Sequence, residues 1–207
     1  EDNHNQDGVR PNSVTVELLA DGVKIDEAVL NDTNQWTFTW IGLDEYSSGQ
    51  EIEYTVLEKD VNSLYISTVS GNAEEGFVIT NSYTPAKTEV TVSKTWSDGN
   101  NQDGLRPDSI QVQLYADGVA VGEVVELSET NQWKHTWENL DQKKAGHNIN
   151  YTVDELKVPD KYFKTISKVS GTNTYNITNS YEPTLITISG SKTWVDENDK
   201  NGKRPAS

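Results

Sequence analysis

Apolar and polar residues alternate with a period of two in short runs along this chain, and no segment repeats its apolar positions at helical spacing. In the run Val90-Thr91-Val92-Ser93-Lys94-Thr95-Trp96, alternation places Val90, Val92 and Trp96 on one buried face. Ile110, Val112 and Leu114 alternate up to an Asp117-Gly118 turn, and runs over 119–127, 133–137, 149–156, 162–169 and 175–181 follow. Clusters of Gly, Asn, Asp and Pro separate them. About seven short strands in roughly 95 residues predict an all-β, immunoglobulin-like sandwich, with an up-and-down barrel as the weaker alternative.

The pattern is repeated. Asn5-Gln6-Asp7-Gly8-Val9-Arg10-Pro11 returns as Asn101-Gln102-Asp103-Gly104-Leu105-Arg106-Pro107, Tyr54-Thr55-Val56 as Tyr151-Thr152-Val153, and Ile79-Thr80-Asn81-Ser82-Tyr83 as Ile177-Thr178-Asn179-Ser180-Tyr181. A period of 96 to 98 residues is that of a domain, too long for a solenoid unit. Lys94-Thr95-Trp96 recurs as Lys192-Thr193-Trp194, after which Gly202-Lys203-Arg204-Pro205 follows. The sequence therefore divides into residues 1–84, a repeat without its first, lysine-bearing strand; 85–184, a complete repeat; and 185–207, the first strand and loop of a third.

Several polar residues fall in the buried phase. Lys94 shares a face with Val92 and Trp96, Glu155 with Tyr151 and Val153, and Asn179 with Ile177 and Tyr181. Glu58 and Asn81 hold the matching places in the first repeat, and Lys192 that of the lysine in the third. A buried ammonium is costly unless paired or neutralised. Burial lowers the pKa of a lysine and raises that of a glutamate, so a neutral amine and a protonated acid coexist near neutral pH. Lys94 is then a nucleophile for the Asn179 carboxamide, with Glu155 as proton shuttle, and the product is an isopeptide with release of ammonia. Trp96 and Tyr181 are placed to exclude water. Inward lysines also snorkel or form ion pairs, and asparagines near strand ends also serve in turns. Recurrence of all three residue types at equivalent positions favours the chemistry.

Composition narrows the class. The net charge is −16, with 33 acidic and 17 basic residues spread along the chain, which argues against nucleic acid or anionic lipid as a partner. Cysteine and methionine are absent, so disulfides and thiolate metal sites are excluded and stability must come from elsewhere. No apolar run is long enough to span a membrane, and the N-terminal Glu1-Asp2-Asn3 does not resemble a signal peptide, as expected of a mature segment or a piece of something longer.

The ordered succession Ser-Lys-Thr-Trp, Asn-Gln-Asp-Gly-x-Arg-Pro, Tyr-Thr-Val-x-Glu and Ile-Thr-Asn-Ser-Tyr, running over essentially the whole chain, resembles the Cna-B-type repeat of Gram-positive surface adhesins and pilins. The resemblance implies a reverse immunoglobulin-like fold, an intramolecular Lys–Asn isopeptide with a catalytic Glu, and service as stalk modules at the bacterial cell wall. By position it assigns Lys94, Glu155 and Asn179 to the second repeat, Glu58 and Asn81 to the first, and Lys192 to the third. It implies neighbouring repeats as partners, with host matrix bound by other domains. No cofactor is called for.

The split sets suggest that Lys192, on a free strand, completes the first repeat of a neighbouring molecule and bonds to Asn81 under Glu58, linking chains head to tail. The alternative is that the segment begins and ends at arbitrary points. A different functional class, a module recognising host matrix or glycan, requires a groove or exposed aromatic patch; the recurring pairs Trp36/Trp40 and Trp133/Trp137 read instead as packing. A turnover enzyme is disfavoured because the reacting set consumes itself once. The loops 98–104 and 196–202 are oxygen-rich but lack the acidic twelfth residue of an EF-hand, and read as turns rather than calcium sites. His4, His135 and His147 are expected at loop or outward positions, with no spacing for a metal or a triad.

Overall fold

A computed structural model describes residues 1–205. The first repeat contains β1 (Ser13–Ala20), β2 (Val23–Asn31), the two-residue strands β3 (Tyr46–Ser47) and β4 (Gln50–Glu51), β5 (Tyr54–Lys59), β6 (Ile66–Asn72) and β7 (Gly76–Ser82). The second contains β8 (Lys87–Ser97), β9 (Ser109–Ala116), β10 (Val119–Ser128), β11 (Lys134–Asp141), β12 (Lys143–Lys144), β13 (His147–Asn148), β14 (Tyr151–Glu155), β15 (Phe163–Lys168) and β16 (Thr174–Ser180). The seven expected strands of the second repeat are present, together with a small β12–β13 hairpin that alternation did not reveal. The β9–β10 turn takes Asp117 and Gly118 through φ of 49° and 81°, the paired positive values of a tight hairpin.

The second repeat is an immunoglobulin-like sandwich of a three-stranded sheet, β10-β9-β14, and a four-stranded sheet, β11-β8-β16-β15. The pair β8–β16 is parallel and central; its neighbours are antiparallel. Val90, Val92, Ile110, Val112, Leu114, Leu127, Val153 and Ile177 fill the space between the sheets, each at most 5% exposed. Trp133 joins this core and Trp137 packs against it, as expected of packing residues.

The first repeat forms the three-stranded sheet β2-β1-β5, but its second sheet is reduced to the pair β6–β7. No residue here corresponds to β8, so the 36–40 run, equivalent to part of β11, has no strand to pair with and is not a strand. Its core shrinks to Val16, Leu18 and Val56, with Trp40, Phe77 and Ile79 packed alongside. An open cleft of about 650 Å³ runs along Val16, Leu18, Val56, Phe77 and Ile79. Residues 181–195 contain no strand, and Lys192 is exposed.

One expectation is corrected. His135 lies on β11 opposite Val92, half-buried, and makes an edge-on contact with the Trp137 ring at 4.7 Å between centroids. Burial lowers its pKa. The alternation of β11 carries it to the core side because its partner Val92 is fully buried there.

Candidate functional site

Three strands converge on the site. Ile177 stands opposite Lys94 and Asn179 opposite Trp96 in the parallel β8–β16 ladder, so Lys94 and Asn179 are diagonal neighbours on the inner face. Glu155 comes from β14 in the facing sheet. Asn179 is fully buried, Glu155 is 2% exposed and Lys94 is 5% exposed. The Asn179 Nδ2 donates to Glu155 Oε1 at 2.9 Å, across the sandwich. Two acceptors are left over: Glu155 Oε2 and Asn179 Oδ1 are buried and have no hydrogen-bond partner. Orphaned buried oxygens cost free energy, and a protonated carboxyl beside a carboxamide oxygen removes that cost.

Lys94 Nζ donates to the Thr95 carbonyl at 3.0 Å and sits 3.8 Å from the centroid of the Trp96 ring. Burial pulls its pKa down to about 8, helped by the positive charge of Arg106 and opposed by Glu155 and Asp98. Burial likewise raises the pKa of Glu155, against the hydrogen bond from Asn179 and the charge of Lys94. Both shifts favour the uncharged pair, a free amine and a neutral acid.

A second cluster, which alternation could not show, braces the end of β8. Arg106 grips Asp98 with Nε at 3.0 Å and an Nη at 2.7 Å, and Tyr162 OH donates to the same carboxylate at 2.9 Å. Asn101 N also donates to it, at 2.9 Å. Arg106 lies 5.5 Å from the Trp96 ring, and Tyr162 meets that ring edge-on at 5.2 Å. The Arg106 guanidinium holds the Asp98 carboxyl down at about 2. The Asn-Gln-Asp-Gly-x-Arg-Pro motif is thus a turn whose arginine reaches back to the aspartate at the end of the lysine strand. Asp196 and Arg204 form the same turn, with the guanidinium on the carboxylate at 2.6 Å.

In the first repeat, Asn81 Nδ2 donates to Glu58 Oε1 at 2.9 Å, as in the second. Glu58 is 6% exposed. Its other oxygen accepts from Ser67 Oγ at 2.9 Å. Lys164 stands at the equivalent ladder position opposite Asn179; it pairs with Asp154 and donates to the Glu155 carbonyl at 3.0 Å. Where the second repeat has Asp154 and Lys164, the first has Leu57 and Ser67. Among the described residues no lysine lines the second cleft, of about 280 Å³, that opens beside Glu58 and Asn81 and is lined also by Glu1, Val14, Leu30 and Ile79. Among the described residues Lys192 forms no ion pair: its Nζ donates to the Thr193 carbonyl at 2.9 Å and lies 4.1 Å from the Trp194 ring. That is the local arrangement of Lys94 and Trp96 without the surrounding sandwich.

The model of the Cna protein B-type domain matches residues 1–82 and 90–180. The chain belongs to the Cna B-type domain family. It is 42% identical over 205 residues to the collagen adhesin of Staphylococcus aureus, an alignment covering 99% of this chain and 17% of that protein, so the chain spans about a sixth of its relative's length. Two B repeat units of the S. aureus collagen-binding protein, solved as a crystal structure, are 40% identical and superpose with a TM-score of 0.54, covering 99% of this chain and 53% of theirs. A single B repeat unit of the same protein is 41% identical over 88% of this chain and 94% of its own, with a TM-score of 0.45.

Proposed function

We propose that the chain is a piece of the stalk of a surface adhesin on a Gram-positive bacterium, built from modules at 1–84 and 85–184 and, at 185–207, the sequence of the first strand and loop of another, and that its modules are locked by Lys–Asn isopeptides. The observation that carries this reading is a lysine, glutamate and asparagine buried in one sandwich, with one side-chain oxygen of Glu155 and that of Asn179 left without a partner. The kinship with a staphylococcal collagen adhesin supports the placement at the cell surface.

The step balances as an aminolysis. Neutral Lys94 Nζ attacks the Asn179 side-chain carbonyl carbon. Before that attack, a half-turn of the carboxamide exchanges Nδ2 for Oδ1 beside Glu155, whose proton then stabilises the oxyanion that develops as the amine adds. Glu155 next carries a proton from the attacking amine to the leaving nitrogen. The old C–N bond breaks, ammonia departs, and an Nζ–C amide remains, with Glu155 regenerated. Lys94 and Asn179 are consumed, so the reaction runs once per molecule.

The mechanical consequence follows from topology. Tension enters at the start of β8 and leaves at the end of β16, and these strands are parallel neighbours. A covalent link between Lys94 and Asn179 routes force through the link and shields residues 95–178. Stretching a single chain by force decides the matter. The second repeat should not extend under load, whereas a Glu155→Ala chain should release about 300 Å as the shielded residues unravel. Release of that length by the unsubstituted chain would refute the proposal.

In the first repeat the lysine strand is to be supplied from outside residues 1–84. Its direction is set: Glu1 N donates to Asn81 O at 2.5 Å and Tyr83 N to Glu1 O at 2.8 Å, so residues preceding Glu1 would run parallel to β7, as β8 runs along β16. The segment 186–194 has the matching sequence. We infer that it adds to this cleft in a neighbouring molecule and joins Lys192 to Asn81.

A further inference from the structure

Each module carries two glycine-bearing surfaces at opposite ends, and in one place a pair of them meets. The Asn-Gln-Asp-Gly loop of the first repeat touches the β12–β13 hairpin of the second. Gly146 N donates to the Gln6 carbonyl at 3.0 Å, the backbones of Gly8 and Gly146 lie so close that a Cβ on Gly8 would stand 2.6 Å from Gly146 Cα, and both residues have φ between 69° and 81°. The same loop holds the linker: Asp7 Oδ2 accepts from Tyr83 OH at 2.7 Å and from Ala86 N at 2.9 Å.

The other copies of these elements have the same form and, among the described residues, no mate. Asp103 Oδ2 accepts from Tyr181 OH at 2.8 Å and from Thr184 N at 3.0 Å, so the second loop also grips the linker leaving its own module. Gly104 repeats Gly8 with φ of 68°, and Gly49 repeats Gly146 with φ of 77°, but a Cβ on either would meet nothing within 4 Å. Burial tracks the contact: Gln6 and Asp7 are 9% and 4% exposed, whereas Gln102 and Asp103 are exposed. Gly146 is half-buried and Gly49 exposed.

We propose that these are the two halves of a head-to-tail joint: the Gly104 loop receives the hairpin of the module that follows, and the Gly49 hairpin seats on the loop of a module that precedes. The partner in each case is another copy of this fold. A joint of backbone contacts, with the linker pinned by an aspartate, fixes the angle between successive modules, and a heterologous contact of this kind propagates into an open rod. The joint is independent of whether the Lys94–Asn179 amide forms.

Amide hydrogen exchange and residual dipolar couplings on the full 207-residue chain carrying Lys192→Ala, which cannot link copies and so leaves Gly49 and Gly104 unmated, test it. Gly146 should exchange about tenfold or more slower than Gly49, and amides of the two repeats should fit one alignment tensor. Gly8→Ala should abolish the Gly146 protection and split the tensors, with strand amides in both repeats still protected. Gly104→Ala imposes the same backbone strain at an unmated loop and should change neither. The joint is overturned if Gly146 exchanges as fast as Gly49 in the unlinked Lys192→Ala chain, if adding Gly8→Ala leaves protection and alignment intact, or if adding Gly104→Ala reproduces its effect.

Discussion

Asn179 and Glu155 meet between the two sheets of the second repeat, Nδ2 to Oε1 at 2.9 Å, while their other side-chain oxygens, both buried, find no partner. A purely structural Asn–Glu pair would satisfy those atoms; a pair waiting for a proton and an amine leaves them open. Lys94, diagonal to Asn179 on the same face and with its pKa drawn down to about 8, supplies the amine.

The pH dependence of an uncrosslinked variant follows from these shifts. In Asn179→Ala no amide forms, and Lys94 titrates near 8 when folded against 10.5 when unfolded. The unfolded chain therefore binds more protons between those values, and stability rises with pH across that window. Glu155 acts oppositely: its folded pKa is raised above 4.5, so its contribution is present below 4.5 and is lost as pH rises through the folded value. Urea midpoints of Asn179→Ala should fall above pH 4.5 and recover between about pH 8 and 10.5. In the crosslinked chain Lys94 is an amide and the alkaline recovery should be missing.

Arg106→Ala should destabilise the second repeat by about 3 kcal/mol, because it strands the carboxylate of Asp98, which is 2% exposed. Since the folded pKa of Asp98 is about 2 against an ordinary 3.8, its contribution is present above 3.8 and disappears as pH falls through about 2. Denaturation of the variant and the unsubstituted chain at pH 7 and at pH 2 should show the difference at the first pH and little of it at the second.

A synthetic peptide covering residues 186–194 should bind the first repeat and then resist boiling in detergent. Lys192→Ala in the peptide, or Asn81→Ala or Glu58→Ala in the chain, should leave at most reversible binding. On denaturing gels the unsubstituted chain alone should show a ladder of linked copies; a lone monomer band together with failure of the peptide to attach would exclude strand donation.

Much of this was legible in the residues because a strand has a period of two. Once Val90, Val92 and Trp96 are assigned to the core, Lys94 must face it, and the same holds for Glu155 behind Val153 and Asn179 behind Ile177. What alternation misses is whatever depends on loops or on a neighbour. Asp98, Arg106 and Tyr162 lie in three separate segments, and nothing in their spacing announces a shared ion pair. The run at 36–40 has the composition of a strand, but a strand needs a ladder, and the partner equivalent to β8 is missing beside it. His135 is in phase with Trp133 and Trp137, so the alternation that sends those rings to the core carries it there too; an outward place suits a polar imidazole by residue type alone, and the pairing with buried Val92 overrides that preference.

Closing a loop of roughly 85 residues with one covalent link is worth about 4.6 kcal/mol in the chain-entropy treatment of disulfides, a useful gain for a chain without cysteine. Lys94→Ala and Asn179→Ala should each lose stabilisation of that order relative to the linked chain, and the double substitution should cost little more than either alone, because both remove the same bond. Urea midpoints of the three variants provide the cycle.

The most direct measurement is the intact mass of the denatured chain, followed by sequencing of its proteolytic fragments. A link between Lys94 and Asn179 removes one ammonia, about 17 Da, and joins the two peptides that carry those residues, and Glu155→Ala restores the full mass. A full-length mass in the unsubstituted chain, with Lys94 and Asn179 recovered in separate unmodified fragments, would contradict the account.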